Sequence, residues 1–493
     1  MIISITPEIA TDEVPIYAGG LGILEGDKYL EASKYNEKYV VLTLFYPNGH
    51  SRYYVNNEIR EEVVDYSYLE ENMVNEGDIE IQARPGNVKL KVLSIARGNA
   101  KVVYFKTISP DWAVRATSRL YVEDSKFDYE YKYIILAKAS EEYVKKLDNV
   151  KAVYAHESLA GLALIGLYGK YETHLVTHTP GPWGHPYFSS RTLREEFGIH
   201  VDVEDVMLTK LLLNYSNYFH TVSVKHNDLT KIMFPESSPS PLTNGVSFDR
   251  WMHEEVKKIY NTGKGSFGEA RVKARNDLLS LLRKYKEIDQ DKLIVVWARR
   301  MTRYKRPYFV SRLIREMGKD LNVVFVIAGK AHPRDAEGIV YMNEFNWLSK
   351  ELKNVIYIHD YSLTNAKYIL SGGDLLLFTP FSGWEACGTS YMKAGINGVP
   401  TLSSKDGGTL EIIKDGYNGY FFGEDIREFV DIYNSPKAKE IDSRDYVDFV
   451  NKFLYIINKA ESDRDWFKNL SENTFSSFIK FCDIKRVMDK VIT

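Results

Sequence analysis

Cysteine is scarce in this chain: of its 493 residues two are cysteines, Cys387 and Cys482. Two cysteines cannot build a disulfide framework, so we expect a reducing, cytoplasmic environment. The net charge of -3 lacks the basic excess of a nucleic-acid-binding protein. Apolar runs of membrane-spanning length are missing too, so we expect no membrane segment. Residues 1–8 have no basic start and no long apolar stretch, and a signal peptide is therefore not expected.

The length and the strand pattern predict two α/β domains. A chain of 493 residues is too long for one hydrophobic core. Short apolar runs, typical of buried strands, alternate with helix-like stretches, which predicts parallel, doubly wound sheets built from βαβ units. In the first half these runs are residues 2–5, 40–45, 153–155, 175–177 and 221–224. In the second half they are residues 293–298, 323–328, 355–358 and 375–378.

We place the two predicted domains at residues 1–262 and 263–469. Within the first, apolar and polar residues alternate between about residues 52 and 107, which predicts an antiparallel insertion. Residues 261–266 form the candidate linker, and a terminal helix over about 470–493 could pack back on the first domain. Two such domains facing each other would bind ligands in the cleft at the carboxyl ends of their strands.

A glycine cluster follows the first predicted strand, where Gly19, Gly20 and Gly22 surround Leu21. Glycines let the backbone approach a ligand closely, and a helix that follows them would offer its N–H groups to an anion. The spacing is not that of the dinucleotide-binding fingerprint. Because short glycine motifs also occur in ordinary loops, an anion site and a plain turn both remain possible.

Cations gather directly after the predicted strand 293–298, at Arg299, Arg300, Arg303, Lys305 and Arg306. A charge run usually covers a solvated helix face. This one begins where a buried strand ends, the edge at which ligands bind in such sheets. Arg300 could clamp an oxyanion through two hydrogen bonds, and Lys305 could act as a point charge. The position therefore favours an anion-binding site.

The segment from Glu385 to Lys393 has the most distinctive pattern in the chain. Gly388 allows a turn, after which Thr389 and Ser390 would begin a short helix that carries Lys393 about one turn in. Glu385 could accept hydrogen bonds from sugar hydroxyls. A lysine on a helix is usually solvated, but the apolar residues around Lys393 predict a buried helix, where an idle charge would be costly.

Polar residues also follow other predicted strands of the first half. His178 lies after strand 175–177, in a segment stiffened by prolines, and we expect it to form part of a substrate wall. Lys225 and His226 follow strand 221–224, and Asn244 precedes Gly245 in what would otherwise be read as a turn. A single histidine in such a position is more often a structural hydrogen-bonding residue than a catalyst.

Together these segments resemble the α-glucan phosphorylase family, in its short bacterial and archaeal form. The segments that match, in the family's order, are residues 19–22, 177–180, 243–245, 300, 304–306, 328–333 and 385–393. The resemblance implies two Rossmann-like domains in the GT-B architecture and pyridoxal 5'-phosphate held covalently on Lys393. The residues implied to line the cofactor phosphate are Arg299, Tyr304, Thr389 and Ser390.

The same resemblance implies the substrate contacts. Inorganic phosphate, or the cofactor phosphate, would be held by Arg300 and Lys305. The glucosyl unit would be held by Glu385, Gly388 and Asn244, and the phosphate region would be touched by Gly19, Gly20 and Leu21. His156 is the nearest candidate for the sugar-contacting histidine of the family, and His178 joins it as a substrate-binding residue.

The implied reaction is retaining phosphorolysis of an α-1,4-glucan or maltooligosaccharide to glucose 1-phosphate. The cofactor phosphate would exchange a proton with the substrate phosphate, and the cations would screen the repulsion between the two groups. We nominate no metal site and no carboxylate pair of the hydrolase type. The many aromatic residues are compatible with a homo-oligomer.

The chain departs from the family pattern at residues 155–160, which read Ala-His-Glu-Ser-Leu-Ala instead of Asn-Glu-Gly-His-Ala-Ala. The stretch also resembles the Ala-His-Asp-Trp-His segment of nucleotide-sugar glycogen synthases, with Leu159 in place of the second histidine. Cys387 replaces the family's usual serine. Two alternatives remain: a nucleotide-sugar-dependent retaining glycosyltransferase without pyridoxal phosphate, and a non-catalytic glucan-binding protein.

Overall fold

The computed structural model describes residues 1–56 and 58–492. Its strands, in chain order, are β1 Ile2–Ile5, β2 Tyr39–Leu44, β3 Arg52–Asn56, β4 Glu58–Glu62, β5 Val74–Ile81, β6 Val88–Arg97, β7 Ala100–Ser109, β8 Ala152–His156, β9 Glu172–Val176, β10 Tyr187–Ser189, β11 Asp205–Met207, β12 Tyr218–Thr221, β13 Ser240–Pro241, β14 Leu293–Ala298, β15 Val323–Ala328, β16 Val355–Ile358, β17 Leu375–Phe378, β18 Thr401–Ser404 and β19 Tyr420–Phe422.

Its helices, in the same order, are α1 Gly20–Ala32, α2 Asp111–Ala116, α3 Lys126–Val144, α4 Glu157–Gly161, α5 Leu164–Leu167, α6 Ser190–Phe197, α7 Leu208–Leu212, α8 Val224–Met233, α9 Phe248–Trp251, α10 Glu254–Thr262, α11 Phe267–Leu282, α12 Pro307–Met317, α13 Ala336–Glu351, α14 Leu363–Gly372, α15 Ser390–Gly395, α16 Thr409–Ile412, α17 Pro436–Ser462, α18 Arg464–Phe481 and α19 Lys485–Ile492. Of these described helices, none is long and apolar enough to cross a membrane.

The described residues divide into two compact units. Unit 1 comprises Met1–Ser51, Val63–Thr243 and Val487–Thr493, and unit 2 comprises Arg52–Glu62 and Asn244–Arg486. Each unit contains a sheet with parallel strands, so the mixed α/β class is confirmed. The predicted boundary after residue 262, the cleft and the return of the terminal helix stay predictions.

The sheet of unit 1 has the strand order β13-β12-β9-β8-β1-β2-β7-β6-β5. From β13 to β7 neighbouring strands are parallel, and the runs that form β1 and β2 are buried along their whole length. β6 pairs antiparallel with β7, and β5 antiparallel with β6. Burial on both faces explains why the parallel strands are near-continuous apolar runs. In β5, by contrast, buried and exposed residues alternate towards the end of the strand.

The sheet of unit 2 is parallel throughout, in the order β16-β15-β14-β17-β18-β19. Four of these strands were predicted with the bounds that the structure shows: 293–298, 323–328, 355–358 and 375–378. Against one face of the sheet lies α17, whose Phe449 and Phe453 join Trp297 and Phe325 in a buried core. Arg299 and Thr379 directly follow the carboxyl ends of β14 and β17.

Two expectations for local structure need correction. The predicted strand over residues 221–224 is wrong, because β12 ends at Thr221 and the side chain of Ser223 caps α8 by accepting a hydrogen bond from the His226 N–H. Lys225 and His226 therefore lie on a helix and do not follow a strand. The single terminal helix is divided, since α18 ends at Phe481 and α19 begins at Lys485.

Candidate active site

The centre of the candidate site in unit 2 is a carboxylate held by two cations. Glu385 Oε2 accepts hydrogen bonds from Arg299 Nη2 and, at 3.0 Å, from Lys305 Nζ. All three side chains are largely buried. Burial alone would raise the pKa of Glu385, but Lys305 and Arg299 outweigh it and lower that pKa to about 2. Glu385 is therefore ionised at any working pH, and the site carries two cations against one fixed anion.

The backbone that carries Glu385 is fixed by a residue that the sequence did not single out. The Asp406 carboxylate accepts hydrogen bonds from the N–H groups of Gly383, Trp384 and Glu385, the last at 2.7 Å. Asp406 is fully buried and follows β18. It lies 21 residues from Glu385, and no local pattern around it signals this contact.

Arg299, at the end of β14, is held flat against an aromatic ring. Its guanidinium carbon lies 3.8 Å from the centre of the Phe378 ring. Gly388 closes over the same ring in the left-handed region, with φ +72°, and a Cβ there would come within 2.6 Å of Phe378. Arg299 Nη1 is buried and donates no hydrogen bond within the described part of the chain. This nitrogen of the cation is thus available to donate to a further anion.

The structure distinguishes the two neighbouring arginines. Arg299 is buried, whereas Arg300, which the sequence favoured as the oxyanion clamp, is exposed. Successive side chains at a strand end point to opposite sides, which explains the difference. The assignment of Arg300 to phosphate stays a prediction.

Lys305 and Tyr304 lie on a 3₁₀ turn, Arg303–Lys305, that packs onto the end of β17. Thr379 Oγ1 donates to the Lys305 carbonyl at 2.8 Å, and the Phe381 N–H donates to the Tyr304 carbonyl at 2.6 Å. Lys305 Nζ lies 5.0 Å from the centre of the Tyr304 ring. The positions of Lys305 and Tyr304 are therefore fixed together, because both lie on one turn that is hydrogen-bonded to the segment after β17.

Lys393 is the fourth residue of α15 and is 5 % exposed. Its Nζ lies 4.0 Å from the centre of the Trp251 ring, a cation–π distance. Asn397 links the two residues, because its Nδ2 donates to the carbonyls of Lys393 and Trp251 at 2.8 and 2.9 Å. The sequence predicts the buried lysine, but it gives no sign that Asn397 and Trp251 contact it.

The remaining residues predicted for this part of the site lie along the same segment. The Cys387 thiol, whose pKa burial raises to about 12, contacts the backbone N–H of Asn244, which places Asn244 beside residues 385–390. The Asn244 carbonyl accepts from Arg486 at 2.9 Å. Thr389 is the residue before α15 and its side chain makes no capping hydrogen bond, Ser390 begins the helix, and both residues are partly exposed.

In unit 1 the predicted glycine cluster already holds an anion of the chain itself. Glu8 Oε2 accepts from the N–H groups of Ala18 and Gly19, at 2.6 and 3.1 Å. A Cβ added at Gly19 or Gly20 would have no other atom within 4 Å. The space beside both glycines, on the side where a side chain would begin, is therefore open. Leu21 follows in the first turn of α1. The sequence does not identify Glu8, and a contact of Gly19, Gly20 and Leu21 with a ligand anion stays a prediction.

His156 and His178 lie together in a buried chain of hydrogen bonds. His156 Nδ1 lies 3.0 Å from His178 Nε2, while His156 Nε2 lies 3.1 Å from Glu25 Oε1. Lys28 Nζ donates to the same Glu25 oxygen at 2.7 Å. Burial, and next the charge of Lys28, hold the pKa of His156 well below its usual range. Both imidazoles are therefore neutral near pH 7 and act as hydrogen-bonding groups.

Residues 264–490 match the model of a family described as carbohydrate phosphorylase. This part of the chain is therefore similar to the carbohydrate phosphorylase family. The matched residues contain Arg299, Lys305, Glu385 and Lys393.

Among its relatives is a maltodextrin phosphorylase of Thermococcus litoralis, 27 % identical over 91 % of this chain and 66 % of that protein. A glycogen phosphorylase of Aquifex aeolicus is 24 % identical over 86 % of this chain and 76 % of that protein. An uncharacterized protein of Methanocaldococcus jannaschii is 26 % identical over 81 % of this chain and 83 % of its own length. The chain thus spans about two thirds of the length of the first of these family members.

Proposed function

We propose that the protein is a retaining α-glucan phosphorylase, which transfers terminal glucosyl units of an α-1,4-glucan to inorganic phosphate and yields glucose 1-phosphate. One observation carries the proposal: the buried Lys393 lies on the helix that directly follows the segment of Glu385, itself bound by Arg299 and Lys305. The names of the relatives, maltodextrin phosphorylase and glycogen phosphorylase, support the choice of an α-glucan.

Unit 2 has the chemistry that pyridoxal 5'-phosphate requires. Lys393 supplies a buried primary amine beside the Trp251 ring, and the buried Nη1 of Arg299 makes no hydrogen bond in the described chain. In the proposed site Lys393 anchors the cofactor. The phosphate group of the cofactor is held by Arg299, Tyr304, Thr389 and Ser390. When bound, the cofactor supplies a phosphate group able to exchange a proton beside the substrate phosphate.

The residues of unit 2 prepare the site for anions. Arg299 and Lys305 are held in place by Glu385 before any phosphate arrives, so their reorganisation on binding is small. Arg300 and Lys305 bind the inorganic phosphate in this proposal. Because Glu385 stays ionised, it accepts hydrogen bonds from sugar hydroxyls, next to Gly388 and Asn244.

The proposed contribution of unit 1 is contact with the sugar and the phosphate. His156 and His178 are neutral near pH 7 and can exchange hydrogen bonds with sugar hydroxyls without placing another charge beside the phosphate. Gly19, Gly20 and Leu21 would lie against the phosphate region, where the open side of the two glycines allows a close approach.

The test is phosphorolysis by the purified protein. Maltoheptaose and phosphate should yield glucose 1-phosphate, and the protein should show an absorbance band of bound cofactor that borohydride alters. Lys393→Ala should abolish both the product and the band, whereas Lys439→Ala, at an exposed site on α17, should change neither. A colourless wild-type protein, or nucleotide release from a sugar nucleotide in place of glucose 1-phosphate formation, would refute the proposal.

A further inference from the structure

Glu157, the residue after β8, has a backbone conformation that side chains disfavour. Its φ is +65°, in the left-handed region where glycine is the favoured residue. It is also the first residue of α4 and follows His156 directly. Strained positions of this kind persist where the surrounding structure requires the side chain, and they cluster at functional sites.

The Glu157 side chain bridges two strand ends. Its Oε1 accepts a hydrogen bond from the His178 N–H at 2.9 Å and another from Thr179 Oγ1, also at 2.9 Å. These donors follow β9, so one carboxylate ties the end of β8 to the segment after β9. Glycine would relieve the backbone, but it has no oxygen to offer these donors.

The two neighbouring residues Glu157 and His156 hold different parts of His178. Glu157 binds its main-chain N–H, and His156 Nδ1 lies 3.0 Å from its Nε2. The next residue is fixed from a third element, because His226 Nε2 on α8 lies 3.1 Å from the Thr179 carbonyl. Residues 178–179 are thus held by contacts from β8, α4 and α8, and the His178 imidazole itself contacts His156.

We propose that Glu157 is a positioning residue, which fixes residues 178–179 and thereby presents the His178 imidazole to a sugar hydroxyl of the glucan. This rests on the proposed function, in which His178 contacts the substrate. Glu157 does not itself contact the substrate, and it acts through His178. The strain at φ +65° is retained because the carboxylate oxygen must reach two donors at once.

The kinetic experiment compares Glu157→Ala, Glu157→Gln and Glu157→Gly with His178→Ala and the double variant Glu157→Ala/His178→Ala. Glu157→Ala and Glu157→Gly should lower kcat/KM for maltoheptaose about tenfold or more, because both donors lose their acceptor. Glu157→Gln keeps an oxygen acceptor and should restore most of the activity. In the His178→Ala background the loss of Glu157 should cost less than about twofold, since the two residues act as one unit.

A matched control shows whether replacing a residue of positive φ by glycine is enough to change the kinetics. Asn149 also has a positive φ, +59°, and is exposed, so Asn149→Gly should leave the kinetics unchanged. Glu157→Gly releases backbone strain, and its thermal midpoint should not fall below that of Glu157→Ala. Wild-type kcat/KM in Glu157→Gly, or a Glu157→Ala loss of equal size in both backgrounds, would overturn the positioning role.

A spectroscopic measurement separates this inference from the proposed function. In histidine-labelled protein the imidazole ¹⁵N signals of His178, assigned by their loss in His178→Ala, should shift in Glu157→Ala and return towards wild type in Glu157→Gln. If those signals shift while the wild type forms no glucose 1-phosphate, the proposed function fails and the positioning of His178 stands. If the enzyme is active and the signals do not move, the inference fails.

Discussion

Arg306 and Asp445 form an ion pair that is buried at both ends. Arg306 Nη1 lies 2.8 Å from Asp445 Oδ2, and the side chains are 0 % and 1 % exposed. The guanidinium also lies between the rings of Phe309 and Phe381, at 4.6 and 4.5 Å. Because Arg306 has φ +50° and directly follows Lys305, this pair fixes a strained turn next to the anion-binding lysine.

We therefore predict that Asp445→Ala both destabilises the protein and impairs phosphate binding. Removing Asp445 takes away the fully buried partner of Arg306 and leaves the ion pair with Asp442, which is 23 % exposed, at a cost of about 3 kcal/mol. The urea midpoint should fall, and the KM for phosphate should rise in the fraction that remains folded. Glu424→Ala, which breaks the exposed pair with Arg444, should cost less than about 1 kcal/mol. Equal urea midpoints for the two variants would contradict the prediction.

Ionised Glu385 should contribute to the unfolding free energy, and this contribution should disappear at acid pH. Its pKa is lowered from 4.5 to about 2 in the folded chain, so its stabilisation is present above pH 4.5 and is lost as the pH falls towards 2. We predict that the difference in unfolding free energy between wild type and Glu385→Gln shrinks over that window, by on the order of 3 kcal/mol. Chemical denaturation at several pH values measures it, and a difference that stays constant below pH 4.5 would contradict the assignment.

Glu157 should show the opposite pH dependence. Burial raises its pKa to about 7, against the opposing hydrogen bonds from Thr179 and the His178 N–H. A carboxyl that stays protonated longer in the folded state loses stability as the pH rises from 4.5 through 7. Relative to Glu157→Gln, the wild type should lose on the order of 1–3 kcal/mol across that window. If the two proteins keep a constant difference between pH 4.5 and 8, Glu157 does not titrate as described.

The fold was more predictable than the contacts within the site. In unit 2 four buried strands were predicted with their observed ends, because fully buried parallel strands are continuous apolar runs. β18 was not predicted, since three of its four residues, Thr401, Ser403 and Ser404, are polar although all are buried. Its polar composition lacks the apolar signal on which the other predictions depended.

Within the site, the sequence identified the residues that carry unusual local patterns, including Glu385 and Lys393. It did not identify Asp406 and Asn397, whose roles depend on contacts with residues far away in the chain. An Asn-Gly pair indicates a turn wherever it occurs, and only the fold shows that Asn397 binds the backbone of Trp251. Strand alternation could have indicated that one arginine of the Arg299–Arg300 pair is buried, but not which one.

Asn397 provides the last prediction. It is fully buried and makes three hydrogen bonds, donating to the Lys393 and Trp251 carbonyls and accepting from the His253 N–H at 2.7 Å. Asn397→Ala removes all three of these hydrogen bonds at a buried site, and we expect a loss of about 2–4 kcal/mol in unfolding free energy. Lys393 should then lose its fixed position over Trp251, so the variant should retain less pyridoxal 5'-phosphate after gel filtration.

Asn434→Ala, at an exposed position, is the control and should retain the wild-type amount of pyridoxal 5'-phosphate. Full cofactor retention by Asn397→Ala, despite a lowered thermal midpoint, would show that Asn397 supports the fold without orienting Lys393.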